Sequence, residues 1–176
     1  MLTILRYPHR SLRAPAKPVT AEQLPTLPLS SLLLSLKELN AVGIAANQIG
    51  DPRSYCIVGI PDREPFLMVN PFIVEKQDQN GFEDEGCLSL PGITVSVLRP
   101  LTVKVRWLDE GGGEQEEVFG GLAARIVCHE LEHLRGGLIL DHLSLLKRRK
   151  LKSYIDKALR MEKANLKYAL RYYGLK

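Results

Sequence analysis

The sequence predicts an α+β fold in one domain over residues 1–176: a central helix surrounded by antiparallel or mixed β-sheets, with a further helix near each end of the chain. Three observations lead to this prediction. Short β-rich runs are separated by glycine and proline. Three longer stretches carry apolar residues at helical spacing. A content of 45% apolar and 25% charged residues excludes disordered, collagen-like and coiled-coil architectures.

The predicted elements follow one another in a simple order. A helix over 30–40 opens at a serine and ends before Gly43. The β-rich runs are then 55–60, 66–74, 93–98, 101–108 and, beyond a hairpin turn of three glycines, 114–119. The central helix over 122–134 is closed by Gly136 and Gly137, and a final helix occupies about 145–172.

Positive charge is concentrated at the end of the chain. Residues 147–176 contain eleven Lys or Arg and two acidic residues, a net charge of +9. The preceding 146 residues contain 13 basic and 18 acidic ones, a net charge of −5. Such a basic segment favours a polyanionic partner, whereas a solvated helix face is the alternative explanation.

Composition also bears on the compartment. No apolar run approaches the roughly 18 to 20 residues that span a bilayer, and the opening residues lack the apolar stretch of a signal peptide. We therefore expect a cytoplasmic protein without a membrane partner, and an organellar location is compatible with the same observations. Three cysteines cannot all pair, so we expect reduced thiols, with Cys56 and Cys128 packed in the core.

The central helix contains the string HELEH, from His129 to His133. Residues four apart lie roughly 40° apart around an α-helix, so both imidazoles project to one side and can share a metal ion. Glu130 and Glu132 lie at nearly equal angles on either side of that direction, and periodicity does not choose between them as a base. Glu130 is favoured because HExxH enzymes use the glutamate that follows the first histidine.

A catalytic metal site of this kind needs a third protein ligand and an open position for water. The protease pattern HExxHxxGxxH fits at Gly136 but has Ile139 in place of its last histidine. A downstream acidic ligand would have to be Asp156 or Glu162. Cys87, in the string EGCLSLPG, is the better candidate because it follows a glycine and precedes a predicted strand.

A third string, GIAANQIG at 43–50, precedes both of these. Its small residues allow the backbone to approach a ligand closely. The amide of Gln48 offers a donor that suits a developing oxyanion. A tight helix-to-strand connection is the alternative explanation of this string.

Taken together, the three strings resemble the signature of the peptide deformylase family. The family pattern is GφGφAAxQ, then EGCLS, then HExDH. This chain has AVGIAANQ at 41–48, EGCLS at 85–89 and HELEH at 129–133, in the same order. The similarity extends over nearly the whole chain and includes LRYPHRSLRAPAKPV at 5–19 and VNP at 69–71.

The resemblance implies a hydrolase that removes the N-formyl group from the N-terminal formylmethionine of nascent polypeptides and releases formate. It implies Cys87, His129 and His133 as ligands of one divalent metal ion, Fe²⁺ in the first place, with Zn²⁺, Ni²⁺ or Co²⁺ as substitutes. N-formylmethionyl nascent peptides are then the substrate partners. The ribosome is a further possible partner, through the basic C-terminal helix at about 145–172.

The same resemblance assigns catalytic roles. A metal-bound water would attack the formyl carbon while Glu130 acts as general base. Gln48 and the backbone N–H of Leu88 would stabilise the oxyanion. Gly43, Ile44 and Ile126 are expected to line the methionine pocket.

The chain departs from the family pattern at three positions. Ala41 replaces a glycine, which is tolerable if its φ is negative. Glu132 replaces an aspartate, and we expect it to hold a neighbouring basic group, Arg99. Cys128 stands where glutamine is frequent.

Two other function classes compete with the deformylase. The first is an HExxH metallopeptidase whose third ligand is an acid of the last helix. The second is an RNA-binding or scaffold protein with a vestigial metal site, which the intact set of ligands and base disfavours.

Overall fold

The computed structural model describes residues 2–77, 79–153 and 155 of the chain. They fall into two compact units, Met1–His142 and Leu143–Lys176. In the second unit, residues 145–153 and 155 are helical, beginning where the sequence predicts the final helix. The rest of that predicted helix, to residue 172, lies outside the described residues. Within the described ranges, no helix has the length and apolar character that crossing a membrane requires.

The first unit is built from two α-helices, four short 3-10 helices and seven strands in the part of the chain that the structure describes. Helix α1 spans Leu29–Glu38 and helix α2 spans Gly121–Leu134. The strands are β1 (Gly43–Ala45), β2 (Tyr55–Val58), β3 (Phe66–Lys76), β4 (Asn80–Gly86), β5 (Thr94–Pro100), β6 (Thr102–Leu108) and β7 (Glu114–Gly120).

The strands form two sheets, in which every pairing between strands is antiparallel. Five strands form one sheet in the order β1-β2-β3-β6-β7, and β4 and β5 form a separate hairpin. Side chains of β5 and β6 alternate between buried and more exposed positions, as expected for strands with one face on the core. The predicted α+β class with antiparallel sheets is confirmed.

Helix α2 packs on the core side of the larger sheet. Its buried residues Ala124, Val127 and Leu131 join the same apolar cluster as Ile57 of β2 and Val105 of β6. Burial of this apolar face in the core fixes the position of the helix. The residues that flank the face are therefore held at a fixed depth in the protein. The string HELEH thereby lies on the last part of a helix that tertiary packing orients.

An aromatic group fills one region of this core. The ring of Trp107 lies 5.9 Å from that of Phe66 and 5.8 Å from that of Phe119, measured between ring centroids. Strands β3, β6 and β7 contribute one ring each. Trp107 is 4% exposed, so the cluster of three rings packs these strands against one another in the interior.

The sequence predicts most of these elements within two residues and misses two strands. The string at 43–50 is more than a connection, because Gly43–Ala45 forms β1 and Ala46–Ile49 forms a 3-10 helix. Strand β4 is missed because its sequence, NGFEDEG, is mostly polar and has low β-propensity. Pairing with β5 along its whole length holds it extended. Cys56 and Cys128 are buried, as predicted.

Candidate active site

Three potential metal ligands from distant parts of the chain meet at one place. The Sγ atom of Cys87 and one ring nitrogen each of His129 and His133 all lie within 4.8 Å of one another. Cys87 Sγ lies 3.3 Å from Nε2 of His133. The two imidazole rings are 4.8 Å apart and nearly perpendicular, at 75°. One thiol and two imidazoles in this arrangement can hold a divalent metal ion.

Local structure explains how the chain brings these side chains together. The histidines occupy successive turns of α2, and Cys87 directly follows β4 in the loop that leads to β5. Helix α2 ends at Leu134, and Gly136 follows with a φ of 78°. A Cβ atom on Gly136 would lie 2.5 Å from the carbonyl oxygen of Arg13, so only glycine allows the helix to end here against the N-terminal segment.

A buried carboxylate orients the first histidine. Oε2 of Glu85 lies 2.8 Å from Nδ1 of His129. With Nδ1 engaged, Nε2 is the nitrogen left for a metal ion. Burial raises the pKa of Glu85, but hydrogen bonds from His129 and Arg99 outweigh it and hold that pKa well below its usual range. Burial lowers the pKa of His129, yet its contacts with Cys87 and Glu85 raise it to about 10.

Glu85 belongs to a larger network of buried charges. Arg99 donates to both of its oxygens, at 3.0 and 2.9 Å, and Arg125 donates to Oε1 at 2.8 Å. Arg99 also donates to Oε2 of Glu132 at 2.8 Å, which confirms the predicted pairing of Glu132 with Arg99. The other oxygen of Glu132 lies 2.9 Å from Nε2 of His142. Glu132, whose side chain is longer than the aspartate of the family pattern, therefore contacts two partners, Arg99 and His142.

Glu130 lies apart from that network. Its side chain is buried, and Oε2 has no hydrogen-bond partner among the described residues. Burial raises the pKa of Glu130 to about 7, against the opposing charges of His129 and Arg99. A Cβ atom on Gly43 would collide with its carboxylate, so the glycine of β1 makes room for this side chain. Periodicity left Glu130 and Glu132 equivalent, and tertiary structure separates them.

Gln48 is fixed by the turn that contains it. Its Oε1 accepts from the backbone N–H of Ala45 at 2.9 Å. Its Nε2 donates to Oγ of Ser89 at 3.2 Å and lies 3.7 Å from Sγ of Cys87. The amide hydrogens therefore point toward Ser89 and toward the cysteine.

A cavity of about 910 Å³ opens onto these groups. The predicted site residues that line it are Gly43, Gln48, Cys87, Leu88, His129 and Glu130. Ile126, beside them on α2, also lines it. Ile44 and His133 are buried and do not lie in its wall. Ala41 also lines the cavity. Its replacement of a glycine is tolerable if its φ is negative, and Ala41 is not among the described residues with positive φ.

Comparison with known proteins identifies the family. A family model described as polypeptide deformylase matches residues 1–149. The chain belongs to the polypeptide deformylase family. It is accordingly a hydrolase that removes the N-formyl group from nascent peptides. Residues 1–149 include all three signature strings.

Relatives and solved structures agree with this membership. A peptide deformylase of Rhizorhabdus wittichii is 35% identical over 172 residues, covering 92% of this chain and 97% of the relative. Peptide deformylase 2 of Xanthomonas axonopodis pv. citri is 37% identical over 163 residues, covering 89% and 95%. A crystal structure of a peptide deformylase from Legionella pneumophila has a TM-score of 0.82 at 35% identity, covering 93% of this chain and 98% of that one.

Sequence reasoning did not identify the roles of Glu85 and His142. Glu85 is visible as the first residue of EGCLS, but no spacing rule connects it with His129. Arg125 lies one turn before His129 and reaches the carboxylate of Glu85, the backbone oxygens of Val97 and Gly81, and Glu83. These contacts between β4, β5 and α2 exist only in the folded deformylase.

Proposed function

We propose that Cys87, His129 and His133 bind one divalent metal ion at which this chain carries out deformylation. The observation that carries the proposal is the convergence of a thiol with two imidazoles beside a buried, unpartnered carboxylate oxygen. The donor set suits Fe²⁺, which we propose as the native ion, and also Zn²⁺, Ni²⁺ and Co²⁺. When bound, the ion supplies a Lewis acid that polarises a carbonyl group and lowers the pKa of a water molecule.

The central helix then supplies the base. Glu130 directly follows a ligand in sequence, lines the cavity, and keeps one oxygen without a protein partner. In our proposal it accepts a proton from the attacking water and later delivers one to the departing amine of methionine. Glu132 is held by Arg99 and His142 and takes no part in this proton transfer.

Two donors complete the catalytic group. Nε2 of Gln48 is directed toward Cys87, and Leu88 follows Cys87 in the cavity wall. We assign the Gln48 amide and the Leu88 backbone N–H to the formyl oxygen, where negative charge develops. The Gln48 oxygen accepts from the Ala45 N–H, which turns the NH₂ group toward Ser89 and Cys87. We assign the hydrogen on the Cys87 side of this group to the substrate.

Substrate binding is assigned to β1 and the cavity. Gly43 lies in the cavity wall, and β1 is at the edge of the five-stranded sheet. We propose that Gly43 contacts the substrate directly and that Ile44, which is buried in the core, supports β1 from behind the cavity wall. Ile126 supplies apolar wall for the methionine side chain.

Formate release tests this proposal. The full chain is purified without oxygen, its metal content is measured, and it is incubated with a formyl-Met-Ala-Ser peptide. We expect one metal ion per chain and formate produced in proportion to the free amine. Cys87→Asp is expected to disturb both metal content and turnover. Intact metal in this variant, with peptide-bond cleavage instead of formate release, would favour a metallopeptidase with Asp156 or Glu162 as ligand.

We further propose that the enzyme acts in the cytoplasm and meets nascent chains at the ribosome through its basic C-terminal segment. The net charge of +9 on residues 147–176 supports this partner, because ribosomal RNA is a polyanion. Replacement of Lys147, Arg149 and Lys150 by glutamine in the full chain is expected to weaken co-sedimentation with ribosomes at low salt. Unchanged co-sedimentation would contradict the ribosome proposal and leave the deformylase activity unaffected.

A further inference from the structure

We propose that Arg6 makes the mouth of the cavity selective for formylated peptides that carry an acidic side chain shortly after the methionine. The inference rests on the proposed function and adds to it a preference among substrates.

The cavity carries both buried and exposed charges. Six ionisable acidic, basic or imidazole side chains line it: Arg6, Asp84, Glu85, Arg125, His129 and Glu130. Arg125 and His129 each pair with Glu85, and Glu130 is buried. Arg6 and Asp84 are exposed, and neither forms an ion pair with any residue that the structure describes. These two charges are therefore available to an incoming peptide.

The backbone on both sides of Arg6 is hydrogen-bonded to the site. The backbone N–H of Leu5 donates to the carbonyl oxygen of Gln48 at 2.7 Å, and that of Tyr7 donates to the carbonyl oxygen of Ser89 at 2.9 Å. Arg6 lies between these two bonds. The segment is thus fastened to both of the loops that carry Gln48 and Cys87, and the Arg6 side chain extends from a fixed point of the cavity wall.

The depth of the reacting groups decides which part of a peptide reaches Arg6. The reacting groups are at the buried end of the cavity, where Glu130 is 4% and Gln48 2% exposed. A volume of about 910 Å³ is near the upper end for ligand pockets, so it holds more than one residue. With the formyl group at the buried end, the methionine lies inside and the following residues pass the exposed mouth.

The two exposed charges, on Arg6 and Asp84, differ in the reach of their side chains. Arginine has a long side chain with a planar fork of donors that matches a carboxylate in two places. Asp84 has a short side chain and is held within β4 by its pairing with Ser96. Arg6 therefore covers more of the mouth than Asp84, and an acidic side chain on the peptide is favoured over a basic one.

The test compares kcat/KM for formyl-Met-Ala-Xaa-Ala and formyl-Met-Xaa-Ala-Ala peptides, both amidated, with Xaa as Asp, Asn or Lys. For the metal-loaded full chain, we expect Asp to exceed Asn by about two- to fivefold at one of the two positions, the size of an exposed ion pair. The ratio of kcat/KM for the Asp peptide to that for the Asn peptide should approach one in 0.5 M salt. Arg6→Gln should bring the ratio to one at low salt, and Arg6→Glu should invert it.

Arg10→Gln is the matched control, because Arg10 is also exposed and does not line the cavity. It should keep the wild-type ratio. A wild-type ratio of one at both positions, a preference for Lys, or a ratio that survives Arg6→Gln would overturn the inference while deformylation of the Asn peptide continues. No formate from any of the peptides would instead overturn the proposed function.

Discussion

The carboxylate of Glu130 lies where a side chain on Gly43 would have to be. Strand β1 and helix α2 are therefore adjusted to each other at the base of the cavity, and the smallest residue leaves the space that the proposed general base fills.

Gly43→Ala tests this relationship. The added methyl group is expected to displace the Glu130 carboxylate and reduce kcat by about 10²-fold, because a shift of about 1 Å in a catalytic group has an effect of this size. Metal content should stay the same. Gly120→Ala is the control, since an added Cβ there meets no atom within 4 Å. Equal kcat values for the two variants would argue against the displacement.

Glu130→Ala separates the two glutamates of HELEH. We expect a folded, metal-containing protein whose kcat is reduced by about 10²- to 10⁴-fold, because a positioned base contributes this much. Glu132→Ala should lose stability, through its contacts with Arg99 and His142, and retain most of its kcat. Steady-state kinetics with metal analysis of both variants provides the comparison. The reverse pattern would transfer the role of base to Glu132.

Glu85→Gln should weaken metal binding. The Glu85 carboxylate orients His129 through Nδ1, and loss of such a partner reduces metal affinity by about 10- to 100-fold. Competition with a chromophoric chelator measures the change. Glu83→Gln is the matched control on the same strand, because the Glu83 side chain is 63% exposed and pairs with Arg125 instead of a histidine. Indistinguishable affinities of the two variants would mean that Glu85 does not support the metal site.

Arg99→Met should destabilise the fold strongly. Arg99 has a side chain that is 7% exposed and pairs with both Glu85 and Glu132, so its removal leaves buried carboxylates with fewer partners. Loss of one member of a buried pair costs about 3–5 kcal/mol of unfolding free energy. Arg106→Met removes an exposed pair with Glu116 and should cost about 1 kcal/mol or less. Urea denaturation of both variants measures the difference.

Asp51 should contribute stability that depends on pH. Burial raises the pKa of Asp51, but hydrogen bonds from Arg53 and Tyr55 outweigh it and lower that pKa below the ordinary value of 3.8. The contribution is therefore present above about pH 4 and is lost as the pH falls through the lowered pKa. Asp51→Asn should be less stable than the wild type by about 1–3 kcal/mol at pH 7. The difference in unfolding free energy should shrink at pH 3, and a constant difference would assign it to packing.

The sequence predicts local features of this protein well and long-range ones poorly. The helical period places His129 and His133 on one side of a helix, because that relation is contained in five consecutive residues. Cys87 is 42 positions away from His129, and no local pattern connects the two. Its neighbouring glycine and its place before a predicted strand made Cys87 a candidate ligand, and the resemblance to the family then linked it with the two histidines.

Strand β4 and the ion network could not be predicted from the sequence, for the same physical reason. The residues of β4 are polar, and they are extended because β5 pairs with them. Glu85 and Arg125 look like surface residues in the sequence, since buried charges are rare and depend on partners that the fold supplies. Periodicity likewise did not distinguish Glu130 from Glu132 as the general base. Their different burial follows from the strands packed around α2.

The single tryptophan of the chain gives this protein a built-in optical probe. Trp107 is enclosed by Phe66 and Phe119 and does not line the 910 Å³ cavity. Its fluorescence emission should therefore shift to longer wavelength when the five-stranded sheet opens. Loading or stripping of the metal should leave the emission almost unchanged, so folding and metal occupancy can be followed independently in the same sample.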